Sequence, residues 1–80
     1  MSSYHKNIIP RGEYGKASKV LEEYYEFLDA EEQKVKIMAM LELSDLYGAL
    51  EGLAENYSLT MNDLKAMSDR TKAAFKSGKR

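Results

Sequence analysis

Within residues 21–50, Glu23-Tyr24-Tyr25-Glu26 is followed, after fifteen intervening residues, by Glu42-Leu43-Ser44-Asp45. Each motif sets two acidic side chains three positions apart, which places them on one face of a helix. Apolar residues around both motifs recur at steps of three and four, the period of a helix. Two such helices facing each other would gather four carboxylates. Like charges at that density repel unless a cation sits among them, and hard divalent cations such as Mg²⁺ take oxygen ligands of this kind.

The position of Glu42 sharpens this reading. Winding residues 35–54 at about 100° per residue puts Val35, Met38, Ala39, Leu46, Ala49, Leu50 and Leu53 on one continuous apolar stripe. Glu42 falls inside that stripe. Asp45 falls about 60° to one side, one turn along. Burying an unpaired carboxylate costs on the order of several kcal/mol. Glu42 is therefore expected either in a salt bridge with a lysine or in a metal site, and two matched acidic pairs favour the metal site.

Eighty residues make one domain, residues 1–80, with room for only a small core. There is no cysteine, so neither a disulfide nor a thiolate zinc site can supplement that core. Oligomerisation is the remaining way to bury more apolar surface. The lone His5 lies near the N-terminus and reads as a solvated residue, not a ligand. A net charge of −1 conceals an uneven distribution. Residues 13–52 are strongly acidic, whereas residues 65–80 carry Lys65, Arg70, Lys72, Lys76, Lys79 and Arg80. An acidic centre beside a basic segment suits a metal ion with an anionic ligand, although cations at a helix C-terminus also favour its dipole. No apolar run approaches the roughly 18 residues of a membrane span. No signal-peptide core opens the sequence, so a cytoplasmic location without membrane contact is expected.

Residues 1–13 are polar and irregular, an N-terminal arm broken by Pro10 and Gly12 in which Ile8-Ile9 packs as a short extended piece. The helical core spans 14–78. Helix one is expected over 14–28, with Ala17, Val20, Leu21, Tyr24, Phe27 and Leu28 on its apolar face. Lys16, Lys19, Glu23 and Glu26 form an adjoining stripe, either the rim of a pocket or an exposed ladder with Lys19 and Glu23 paired. Glu22 and Asp29 point outward as solvated charges. Asp29 with Glu32 reads as a capping box opening helix two over 31–56. Ile37, Leu41 and Tyr47 lie outside its main stripe, so this helix should be covered on two sides. Gly48 and Gly52, four apart, suggest close approach of another backbone or room for a ligand. Thr60 with Asp63 opens helix three, Met61, Leu64, Met67, Thr71, Ala74 and Phe75 form its inner face, and Gly78 ends it. With three helices and no strand signal, the fold class is all-α, a bundle.

Glu23-x-x-Glu26 and Glu42-x-x-Asp45, with Asp45-Leu46-Tyr47-Gly48 continuing helix two and Asn56-Tyr57-Ser58-Leu59-Thr60 turning out of it, resemble a known signature. It is that of the all-α nucleotide pyrophosphohydrolases, the MazG-like superfamily, which includes dimeric dUTPases and phosphoribosyl-ATP pyrophosphohydrolase. Arg11-Gly12-Glu13-Tyr14-Gly15 and the ending Phe75-Lys76-Ser77-Gly78-Lys79-Arg80 are similar to small phage-encoded members. The resemblance implies a four-helix-bundle-type core, with this three-helix chain completed as a homodimer or homotetramer. It implies hydrolysis of a nucleoside triphosphate to the monophosphate and pyrophosphate with Mg²⁺ or Mn²⁺. It carries metal-ligand and catalytic roles onto Glu23, Glu26, Glu42 and Asp45, with one glutamate able to orient the attacking water instead. Basic residues of the last helix often meet phosphates in this family, which points to Lys72 and then Arg80 for substrate binding. Lys16 and Lys19 join them from their place on the helix-one stripe, not from the motif.

Two other functions compete. Residues 53–64 can be read as a helix-turn-helix with a basic second helix, a DNA-binding regulator. The acidic balance argues against nucleic acid as a partner, and that reading leaves Glu42 unexplained. The third possibility is a helical adaptor without chemistry.

Overall fold

The described residues form three helices: α1 over Ala17–Glu32, α2 over Lys36–Glu55 and α3 over Met61–Ser77. The structure, a computed structural model, describes residues 7–79, so His5 and Arg80 lie outside the described residues. Among those described there is no strand, and the fold is all-helical. Among the described residues no helix is long and apolar enough to cross a membrane.

The boundaries of α1 and α2 differ from those expected from sequence. Asp29 does not cap a second helix. α1 continues through it to Glu32, and Lys34, at φ 61°, turns the chain before α2 begins at Lys36. Asp29 instead accepts hydrogen bonds from the Asn7 backbone and side chain and from Gln33 Nε2. A D-x-x-E pattern is a cap only when the aspartate is not already claimed by another partner. The start also shifts. Residues 13–16 form a turn, with Lys16 N–H donating to Glu13 O, and α1 begins at Ala17.

α1 and α2 form an antiparallel hairpin. Near its open end, the Tyr14 ring lies over Gly52 and Asn56 Nδ2 donates to Gly15 O, so the start of α1 meets the end of α2. The N-terminal arm runs back along α1, where Asn7 reaches Asp29 and Gly12 N–H donates to Glu22 Oε1 at 2.8 Å. These contacts explain a departure from the sequence reading: Glu22 and Asp29 are buried, not solvated. Of the expected extended piece, Ile8 is fully exposed and Ile9 partly covered.

The glycines divide accordingly. A Cβ on Gly12 would stand 2.1 Å from the backbone oxygen of Ser18, and one on Gly52 would stand 2.5 Å from the Tyr14 ring. A Cβ on Gly48 would meet nothing within 4 Å. Among the described residues the expected approach of another backbone is met at neither glycine: a tyrosine ring packs on Gly52, and Gly48 faces open space. Gly12→Ala is expected to lift the arm from Glu22 and to cost about 2–3 kcal/mol, the scale of overpacking. Gly48→Ala should be neutral in the single chain or stabilise it by up to about 1 kcal/mol through helix propensity. Urea unfolding of both variants checks this contrast.

α3 behaves differently from the hairpin. Its start is as expected: Thr60 Oγ1 accepts from Asp63 N–H and the Asp63 carboxylate accepts from Thr60 N–H. Gly78 ends it in the left-handed conformation. Yet α3 makes only sparse contact with α2 and none with α1, and it has no buried residue. Its expected inner face is covered only in part: Met61, Leu64, Thr71 and Ala74 are half-buried, while Met67 and Phe75 are both more than half exposed.

The hairpin core is correspondingly thin: Ala30, Ala49 and Ala54 are the buried apolar residues. Ile37, Leu41 and Tyr47 on α2 are 60%, 53% and 57% exposed, so the described residues do not supply the expected covering on two sides. The accessible surface is 6177 Å², against about 4,900 Å² for a compact monomer of this mass. The radius of gyration is 14.2 Å, against about 12 Å for a compact domain of this length.

Candidate functional site

The hairpin brings the acidic motifs together by a simple symmetry. Glu23 and Asp45 each lie eleven residues from Lys34, and Glu26 and Glu42 each lie eight. An antiparallel pair folded about that point sets the two motifs side by side.

Glu42 is the centre of the arrangement. It is 1% exposed, on the inner face of α2 as the winding indicated. Glu23 on α1 is 6% exposed. One carboxylate oxygen each from Glu23, Glu42 and Asp45 lie within 4.8 Å of one another. A second group, equally tight, joins Glu22, Glu23 and Glu26. The four expected carboxylates are thus not one equal set. Three converge, Glu26 stands on the α1 side, and Glu23 belongs to both groups. Glu22 is an addition that the motif spacing did not show. Its burial depends on Gly12, ten residues earlier in an irregular segment, and irregular contacts leave no periodic signal.

The electrostatics follow from this crowding. Desolvation of the Asp45 carboxyl, then the Glu42 charge and a hydrogen bond shared with Glu42, push its pKa up, and Lys19 opposes the shift. Burial also pushes Glu22 up, but the Gly12 N–H and Lys19 together outweigh it and hold Glu22 below its usual range. Lys19 Nζ lies 3.1 Å from Glu22 Oε1 and 3.1 Å from Glu23 Oε2. The hydrogen bond to Glu22 is the main cause that raises the Lys19 pKa, burial opposes it, and Glu23 adds to it. The expected Lys19–Glu23 pair is present, but it lies at a buried carboxylate and not on an exposed ladder.

The other expected cations are placed elsewhere. Lys16 is exposed and pairs with Glu13 at 3.3 Å. Lys72 pairs with Asp69 at 3.1 Å on α3, a helix that does not touch α1. Within one chain, neither is brought to the carboxylates.

A cavity of about 400 Å³ lies between the arm and α1, lined by Ile8, Ile9, Pro10, Tyr25, Leu28 and Asp29 among others. It is apolar on the arm side and acidic at one end.

The donor set is all carboxylate oxygen. Three convergent carboxylates, two of them buried, are hard oxygen donors, the type that cations such as Mg²⁺ or Mn²⁺ accept. Thiolate- and imidazole-loving metals find neither donor in the group. Compared with protein-family models, with curated proteins and with solved structures, the chain has no match to any of them.

Proposed function

We propose that the protein is a Mg²⁺- or Mn²⁺-dependent nucleoside triphosphate pyrophosphohydrolase of the MazG-like type, acting as a homodimer or homotetramer. The observation that carries this reading is Glu42: a carboxylate 1% exposed, within 4.8 Å of two more from the facing helix and the next turn. Glu23, Glu42 and Asp45 would hold the metal. Bound there, a divalent cation supplies charge neutralisation for phosphate oxygens and a more acidic water. Glu26, beside Glu23 but outside the convergent three, is the candidate to orient the attacking water and accept its proton.

Assembly is supported by the apolar surface that the hairpin and α3 leave uncovered. Two hairpins packed through Ile37, Leu41 and Tyr47 would make four helices around a shared core. The same assembly could bring Lys72 of a second copy to a substrate phosphate. A DNA-binding reading gains less, because Lys65 and Lys72 of α3 both engage Asp69.

Incubation with mixed ribo- and deoxyribonucleoside triphosphates and Mg²⁺ tests the proposal. Monophosphate and pyrophosphate should appear in equal amounts, and chelation should stop the reaction. Diphosphate with orthophosphate, or no turnover, would reject it.

A further inference from the structure

Lys19 occupies the point where the two carboxylate groups join. Its ammonium is 3.1 Å from an oxygen of Glu23, the residue common to both groups, and equally close to Glu22. Its charge also acts on Asp45 across the hairpin. Lys16, one turn earlier, is turned to Glu13 instead.

We propose that the Lys19 ammonium is the resident cation of the carboxylate cluster in the metal-free protein, and that a divalent metal ion binds by displacing it. This rests on the metal-site reading above. A metal ion on Glu23 would stand a few ångströms from an ammonium on the same carboxylate, and cations at that separation repel strongly. The carboxylates cannot easily leave, since Glu23 and Glu42 are buried between the helices. Lys19 can. Its side chain is 32% exposed, and a flexible four-carbon stem lets the ammonium swing into water. Metal affinity is then an exchange of one cation for another, weaker than the carboxylates alone would give. The lysine in return keeps the empty cluster from repelling itself apart.

The test measures metal binding without nucleotide. Mn²⁺ is titrated into the wild type, Lys19→Met, Lys19→Gln and Lys19→Arg at constant pH and ionic strength, and free Mn²⁺ is read by electron paramagnetic resonance. Melting temperatures are taken with and without metal. The Mn²⁺ dissociation constant should fall by about tenfold in Lys19→Met and Lys19→Gln and change by less than about threefold in Lys19→Arg. The two neutral variants should also melt lower without metal and gain more from it. A purely structural lysine would lower the melting temperature without tightening Mn²⁺ binding. If the wild type binds Mn²⁺ and the neutral variants bind it no tighter, the displacement proposal is wrong and the metal site stands. If none of the four binds Mn²⁺, both fall. Should a neutral variant unfold without metal, its recovery by Mn²⁺ supports the proposal, and failure to recover overturns it.

Discussion

Glu42→Gln is expected to leave the metal-free fold at least as stable as the wild type while lowering nucleotide hydrolysis by about 10²-fold or more. The substitution keeps the shape and sets a hydrogen-bonding amide beside Asp45. It removes one buried negative charge from a group of three. Asp45 reports the present strain. Its pKa is raised from 3.8 by desolvation first and by the Glu42 charge and hydrogen bond next, so the native state holds that proton more tightly than the unfolded chain does. Such a group stabilises the fold when protonated, below the unfolded value, and that contribution is lost as pH rises through the native one. At neutral pH the wild type therefore carries a penalty, and Gln relieves the part of it that the Glu42 charge causes. The advantage of the variant should shrink as pH falls toward the ordinary carboxylate range. If Glu42 were instead a structural salt-bridge partner, its loss would cost about 3–5 kcal/mol. Thermal melting without metal and turnover with metal separate the two. A strongly destabilised variant that still hydrolyses nucleotide would reject the catalytic assignment.

The second large effect concerns assembly. The wild type at micromolar concentration should sediment as a dimer or tetramer, and Leu41→Glu should reduce it to monomer. Leu41, with Ile37 one turn before it, forms an apolar line on α2 that the described residues leave more than half exposed. Full burial of one such side chain is worth about 1.5–3 kcal/mol. Two copies each covering Ile37, Leu41 and Tyr47 would gain several times that figure. A glutamate at the centre of the contact would bury an unpaired charge twice over in a symmetric dimer. The variant should also lose hydrolysis if a second copy completes the substrate site. A wild type that sediments as a monomer at that concentration would remove both expectations.

What could be read from sequence depended on whether the cause was local. The α3 cap was legible because Thr60 and Asp63 satisfy each other within one turn. The burial of Glu42 was legible because helical winding fixes which face a residue shares with Ala49 and Leu46. The meeting of the two motifs followed from their being on adjacent helices. The errors had distant causes. Asp29 has the spacing of a cap, but Asn7, 22 positions away, donates to it. Glu22 looked solvated because its partner Gly12 lies in a segment without period. The Lys19–Glu23 pair was legible because its spacing is local, and Glu22, held by the arm, adds the second carboxylate at Lys19. The inner face of α3 has the right period for packing, yet period alone does not say whether the partner is in the same chain.

The most direct test of the account is where a divalent cation sits. Crystals grown with saturating Mn²⁺ and measured near the manganese absorption edge should show an anomalous peak bonded to oxygens of Glu23, Glu42 and Asp45, at about 2.1–2.2 Å, with Lys19 turned away from Glu23. Crystals with no peak at these carboxylates, and with Lys19 still bridging Glu22 and Glu23, would contradict it.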